Sequence, residues 1–280
     1  VTGAHLQILA AAILFSTGGV AIKACSLPGW EIASLRSAIA AVTLFLLVPP
    51  ARRVSPRILL VAFFYACTLV AFVVANTLTT AAHTVFLQAT APLYLTVLAP
   101  LVLGERLRAR DLVLIVTIGL GMWILFEGRP DNAASLPHLS RGNQLAAVAG
   151  FCWALTLLGL RWLSRERENL APAAAAWGNV LAALLALPFA WPMAVGTPLD
   201  WGTLLFLGVA QVGLAYFFVT RAITRLPALT ASLLLMLEPA LNPLWTWAIL
   251  REHPGNATLI GGVIVLTATV INAFIDQRTS

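Results

Sequence analysis

Two side chains one helical turn apart carry the most pointed chemistry in this sequence. Glu238 and Asn242 stand four positions apart, so a helix presents them on one face. A carboxylate and an amide side by side can receive an ammonium or hydroxyl group. The carboxylate is also open to binding a proton. Both fall in the middle of an apolar run, 227–250, where a charged side chain costs roughly 2.5–3.5 kcal/mol on insertion scales. A charge kept at that depth faces an interior cavity or a neighbouring partner. The structural alternative is a neutral Glu238 bonded to a carbonyl that Pro239 leaves free.

Other polar and aromatic residues sit at comparable depth. Arg36 can hold a carboxylate, or extend its long stem back to the surface. His83 can meet a carboxylate or titrate near neutral pH, and packing by a hydrogen bond is its bland alternative. Gln88 lies between His83 and Pro92, with an amide that both donates and accepts, which suits a zwitterion. Tyr65, Tyr94, Trp153, Thr156, Gln211 and Tyr216 complete the set. Their rings can stack on a planar substrate or hold an ammonium by cation–π attraction, or they can simply pack between helices with their polar tips satisfied.

The elements that position these groups are membrane spans. Hydrophobic residues make up 60% of the 280-residue chain and charged residues 10%, against roughly 25% charged in soluble domains. A span takes roughly 20 apolar residues. Such runs lie near 5–23, 30–49, 57–76, 81–103, 110–127, 142–163, 172–192, 201–221, 227–250 and 257–275, with Pro and Gly at many of the breaks. The first run lacks a basic leading segment and is followed by others like it, so it is read as a span and not a signal peptide. The predicted fold is therefore all-α and integral to the membrane, with ten transmembrane helices.

Alternate loops differ in basic residues. One set, with the C-terminal tail, holds twelve Arg, among them Arg52, Arg53, Arg106, Arg161 and Arg221; the other holds Lys23, Arg129, Arg141 and Arg251. Cytoplasmic loops retain Lys and Arg, so both termini are expected in the cytoplasm of a multi-pass inner-membrane protein. The net charge of +6 is dispersed over these loops and shows no nucleic-acid motif.

An offset of 147 residues sets Leu60 on Leu207, Ala75 on Ala222, Pro92 on Pro239 and Glu105 on Glu252. Five spans per repeat is an odd number, so the second copy enters the membrane from the opposite side. The chain is thus expected to divide into residues 1–135 and 136–280, two inverted five-helix repeats around a central cavity, within one membrane domain. Inverted repeats of this kind serve secondary transporters. Pro92 and Pro239 are the expected hinges. Glu105 and Glu252 are expected to pin helix ends to basic neighbours such as Arg106, Arg108 and Arg251, with gating through such pairs as the sharper alternative. Gly119–Gly121 and Gly261–Gly262 allow spans five and ten to meet closely, within one chain or in a homodimer; a monomer is sufficient for the expected function.

The stretches Ala89-Thr90-Ala91-Pro92 through Leu103-Gly104-Glu105-Arg106 and Leu237-Glu238-Pro239 through Leu250-Arg251-Glu252 resemble signatures of the drug/metabolite transporter superfamily, in its EamA-type branch. Phe151-Cys152-Trp153-Ala154-Leu155 and Leu35-Arg36-Ser37 resemble the starts of its sixth and second spans. The resemblance implies ten helices, a central cavity among spans that include three, four, six, eight and nine, and export of metabolites or drugs. Amino-acid export, nearest to the YddG-type exporters of aromatic amino acids, is the reading it favours. It also places an Arg at position 36 as a structural charge. In the first span Phe15-Ser16-Thr17 stands where the family often has Trp, which makes Phe15 and Ser16 cavity candidates and leaves a Phe as the aromatic there.

Other classes stay open on weaker grounds. A multidrug, nucleoside or purine exporter fits the same motifs. An intramembrane lipid-modifying enzyme would use His83 or Glu238 as acid or base, but no paired constellation near a membrane surface accompanies them. A channel or sensor lacks its ring of like polar residues or its output domain. No phosphate-binding loop, zinc-protease or serine-hydrolase motif occurs, and Cys and His are too sparse for a metal cluster. No cofactor is expected; the expected partners are a small-molecule substrate and the bilayer.

Overall fold

A computed structural model describes residues 3–79, 81–105, 107–127, 139–166 and 168–250, then 256, 257, 260–265, 267, 268 and 271. Among these residues all regular structure is helical. In chain order the helices are α1 (Gly3–Ser16), α2 (Gly18–Ala24), α3 (Gly29–Leu47), α4 (Pro56–Leu78), α5 (Ala81–Gln88), α6 (Ala91–Leu103), α7 (Ala109–Glu127), α8 (Leu139–Ser164), α9 (Ala171–Ala190), α10 (Pro198–Leu205), a wide π turn (Phe206–Leu214), α11 (Ala215–Ala222), α12 (Ala228–Leu235) and α13 (Leu237–Leu250).

Local chemistry sets the ends. Ser55 caps α4 by accepting the Ile58 N–H at 3.3 Å, and Pro56 opens the helix where a missing N–H costs nothing. Thr197 and Asp200 form a reciprocal capping box at the start of α10. Gly104 ends α6 in the left-handed region, at φ 64°, which a residue with a Cβ adopts only under strain.

Among the described residues six continuous stretches are long and apolar enough to cross a membrane: Gly3–Ala24, Gly29–Leu47, Pro56–Leu78, Ser140–Ser164, Ala171–Ala190 and Pro198–Ala222. Shorter apolar helices cover Ala91–Leu103 and Ala228–Asn242. Their shortness has a local cause. The run expected as span four breaks at Ala89–Thr90 and the run expected as span nine at Met236. Each break lies within one turn of a proline, Pro92 or Pro239, whose ring has no N–H for the carbonyl four residues back, at Gln88 or Leu235, and crowds it. The outer faces are apolar: Leu46, Leu101, Val113, Trp123 and Phe189 are all well exposed. Buried polar groups, Arg36, Thr156, Asn179 and Gln211 among them, point inward. That inside-out distribution suits lipid as the outer solvent.

The most extensive packing joins α4 to α8 and α9, and α3 to α9; α1 lies on α11 and α13. Glycines permit the closest approaches. A Cβ on Gly208 would stand 2.5 Å from Ile39 Cβ and 2.9 Å from the Arg36 carbonyl oxygen, so the π turn is seated directly on α3. A Cβ on Gly121 would meet Ile264 and Val265 Cγ2 at 2.9 Å and the Gly261 carbonyl at 3.2 Å. The expected meeting of spans five and ten at these glycines therefore occurs within one chain.

Candidate functional site

One small cavity gathers side chains from well-separated parts of the chain. Phe15 comes from α1, Arg36 from α3, Thr68, Leu69 and Phe72 from α4, and Gln88 from the end of α5. Trp153 comes from α8, Val212 from the π turn, Tyr216 from α11 and Glu238 from α13. Its volume is about 40 Å³, room for roughly three waters. A smaller annex of about 10 Å³ shares Gln88, Trp153 and Glu238 and reaches Pro239. Six of the residues picked from sequence thus meet around one space: Phe15, Arg36, Gln88, Trp153, Tyr216 and Glu238.

Three rings form its aromatic wall, each edge-on to the others. Phe15 and Tyr216 have centroids 5.2 Å apart, Phe15 and Trp153 6.4 Å, and Trp153 and Tyr216 6.1 Å. Such edge-to-face geometry is favourable beyond the area it buries. Tyr65 stands behind this wall, its ring 4.5 Å from Tyr216. Its hydroxyl accepts a hydrogen bond from Asn179 Nδ2 at 2.7 Å, and Gly178 leaves room for the ring. Thr156 is fully buried; its hydroxyl donates to the Cys152 carbonyl at 2.8 Å and lies 3.4 Å from the Thr68 hydroxyl.

The remaining candidates take other places. Asn242 packs on Gly19, where a Cβ would stand 3.1 Å from its amide nitrogen. Gln211 lies on Gly18 in the same manner and donates to the Phe15 carbonyl at 3.5 Å, with its Oε1 buried and unpartnered. Ser16 accepts the Trp245 indole N–H at 2.7 Å and donates to the Ile13 carbonyl at 2.6 Å. These contacts tie α1 and α2 to α13 and the π turn. Tyr94 is the outlier: it follows the break, is exposed, and packs edge-on to Phe151 on the outer face. The side chain of His83, and the whole of Glu252, Arg106 and Arg251, lie outside the described residues.

Arg36 does not extend to the surface. It is 1% exposed, and Nη2 makes one long bond, 3.4 Å, to the Leu69 carbonyl. Pro92 and Pro239 flank separate spaces. Pro92 also borders an apolar compartment of about 130 Å³ shared with Thr90, Ile118, Met122, Leu233 and Met236.

Glu105 ends α6 in a dense polar cluster. Its Oε1 accepts Arg161 Nε at 2.9 Å and Arg165 Nη2 at 2.8 Å. Arg161 also donates to the carbonyls of Ile223 and Thr224, at 2.7 and 2.8 Å. Of the near neighbours expected from sequence, Arg106 lies outside the described residues and Arg108 donates its backbone N–H to Asp111. At the other end of the bundle, Asp200 accepts the Ser26 N–H and hydroxyl at 2.7 and 2.9 Å, and Glu31 accepts the Ala194 N–H at 3.0 Å.

Among residues missed in the sequence, Thr68 and Asn179 stand out. Thr68 lies one turn beyond Tyr65 on the face turned to α8, a signal that was available. Asn179 sits in the Ala-rich run of α9, and only the packing of α9 against α4 gives it a role. Among the described residues no group of His, Cys, Asp or Glu forms a metal site.

The profile of the EamA-like transporter family matches residues 2–127 and again residues 140–274. The pseudopaline exporter CntI of Pseudomonas aeruginosa is 28% identical over 280 residues, covering 96% of this chain and 95% of that protein. The threonine/homoserine exporter RhtA of Salmonella typhimurium is 31% identical over 170 residues, 59% of this chain and 54% of its own length. A solved crystal structure with 18% identity superposes at a TM-score of 0.82 over 100% of this chain and 99% of its own, a likeness of fold.

Proposed function

The chain belongs to the EamA-like transporter family, a transporter and not an enzyme, and from that premise we propose that it exports small organic metabolites, amino acids first among them, by alternating access across the inner membrane. The observation that carries the proposal is the cavity. Side chains from both family-matched segments, Arg36 and Gln88 from one and Trp153, Tyr216 and Glu238 from the other, converge on it. A substrate held there contacts both segments at once, so their relative motion moves its access from one side to the other. Exporter names among the relatives, for pseudopaline and for threonine and homoserine, support solutes that bear amino and carboxyl groups. The Phe15, Trp153 and Tyr216 wall supports room for an aromatic or other apolar side chain once the cavity widens.

In this reading ten helices form two inverted five-helix halves, residues 1–135 and 136–280, with both termini in the cytoplasm. The breaks before Pro92 and Pro239 are the bending points, and Glu238 receives the ammonium. A second reading, export of apolar drugs, draws on the 130 Å³ compartment beside Pro92. Uptake of labelled amino acids into liposomes holding the purified protein, at two pH gradients, tests the first reading. Saturable uptake of neutral amino acids supports it; entry of lipophilic drugs and of no amino acid overturns it in favour of the second.

A further inference from the structure

We infer that Arg36 is the anchor for a substrate carboxylate, so that the cavity selects compounds carrying a free carboxylate beside an ammonium or hydroxyl group. The inference rests on the transporter reading and narrows it to amino acids and related amino carboxylates.

The argument begins with an imbalance. A buried guanidinium is normally met by a carboxylate, because an unpaired charge away from water is costly. Arg36 is 1% exposed. Among the described residues none of the ion pairs includes it. Its Nε is buried with no hydrogen-bond partner, and its one bond is the long contact to Leu69. The guanidinium has five N–H donors in a planar fork, so most of its capacity is unspent, and the side chain borders the cavity.

The two carboxylates that could answer it do not. Glu31, on the same helix, accepts the Ala194 N–H on one oxygen, and its other oxygen is buried and makes no bond to Arg36. Glu238 lines the same cavity yet makes no ion pair with Arg36 among the described residues. Tyr216 lines the cavity with both, and Arg36 and Glu238 stay unpaired with one another there. That separation is the complement of a zwitterion. A carboxylate takes the fork of Arg36 in a bidentate pair, while its ammonium turns to Glu238 and the Gln88 amide. The backbone that carries Arg36 is closely seated: Gly208 lies against the Arg36 carbonyl and Ile39, and Gly213 against Thr43.

The test uses the purified full-length protein and needs no variant for its first arm. L-amino acids, their carboxamides and their decarboxylated amines are compared as ligands, by the shift in thermal unfolding midpoint in detergent and by uptake into liposomes. The acids are expected to bind and enter, with amides and amines at least about thirty-fold weaker, the factor expected when a buried charge loses its partner. Amides or amines acting as well as the acids overturn the inference and leave the transporter reading intact. Entry of nucleosides or drugs with no response to any carboxylate overturns both the inference and the amino-acid assignment. In the second arm, Arg36→Lys is expected to retain part of the preference and Arg36→Met to lose it. A folded Arg36→Met protein that still separates acid from amide as the wild type does overturns the inference.

Discussion

Glu105 and Ala228, 123 residues apart in sequence, meet through a hydrogen bond of 3.0 Å in which the Glu105 carboxylate accepts the backbone N–H of Ala228. Ala228 opens α12, so a carboxylate from the end of α6 caps a helix start in the other half of the chain. The N-terminal end of a helix is the favourable place for such an anion. With Arg161 and Arg165 on its second oxygen, Glu105 binds α6, α8 and α12 at one end of the bundle.

Glu105→Ala is expected to destabilise the protein by about 2 kcal/mol, since it strips several bonds from charged donors that are then left without an acceptor. Arg165→Ala is expected to cost less than about 1 kcal/mol, because its side chain is 40% exposed. Thermal unfolding in detergent checks both. Equal losses for the two would mean that the cluster is held by exposed charge alone.

Gly208→Ala is expected to lower stability by about 1–3 kcal/mol, as its Cβ would overlap Ile39 and force α3 off the π turn. Gly202→Ala is the control. Nothing lies within 4 Å of its added Cβ, and a helical Gly→Ala change gains up to about 1 kcal/mol. Unfolding midpoints of opposite sign check the pair.

Tyr65→Phe is expected to cost about 1 kcal/mol through the lost bond from Asn179, while the apparent KM of uptake stays unchanged. Tyr65 lies behind the cavity wall, whereas Tyr216 forms it. A changed KM in the Phe variant would place the Tyr65 hydroxyl in contact with substrate.

Pro239→Ala is expected to reduce turnover several-fold with little change in substrate affinity. Without Pro239, the start of α13 can join α12 into a stiffer continuous helix across Met236, Pro243 lying one turn further on. Initial uptake rates set beside binding-induced midpoint shifts separate the two quantities. Normal turnover would end the hinge assignment.

The cavity was readable from sequence where a residue type was out of place. Glu238, Gln88 and Arg36 betray themselves as polar groups inside apolar runs, and the breaks before Pro92 and Pro239 follow from the ring itself. The partners of Glu105 were not readable. Arg161 and Arg165 are distant in sequence, so only the packing of α8 beside the end of α6 brings them to it. Tyr94 shows the limit of depth as a criterion, since the break at Ala89–Thr90 resets the helical face and turns the ring outward. Asn242 shares a helix face with Glu238, yet it is spent against Gly19, whose lack of a side chain only the packed structure makes meaningful.

The π turn at Phe206–Leu214 carries a consequence for how related chains are aligned. Leu204 and Leu207, before and within it, belong to the apolar cluster around Ile32 and Phe72. Val212, Ala215 and Tyr216 belong to the main cluster with Tyr65 and Trp153. The wide turn thus lies where a single span passes from one of these neighbourhoods to the other. Deleting one residue here would leave a span of ample length and unchanged greasiness, but would swing everything beyond it by about 100°. Tyr216 would then leave the wall it shares with Phe15 and Trp153. A gap that looks trivial in a hydropathy profile therefore separates chains whose cavities have different walls.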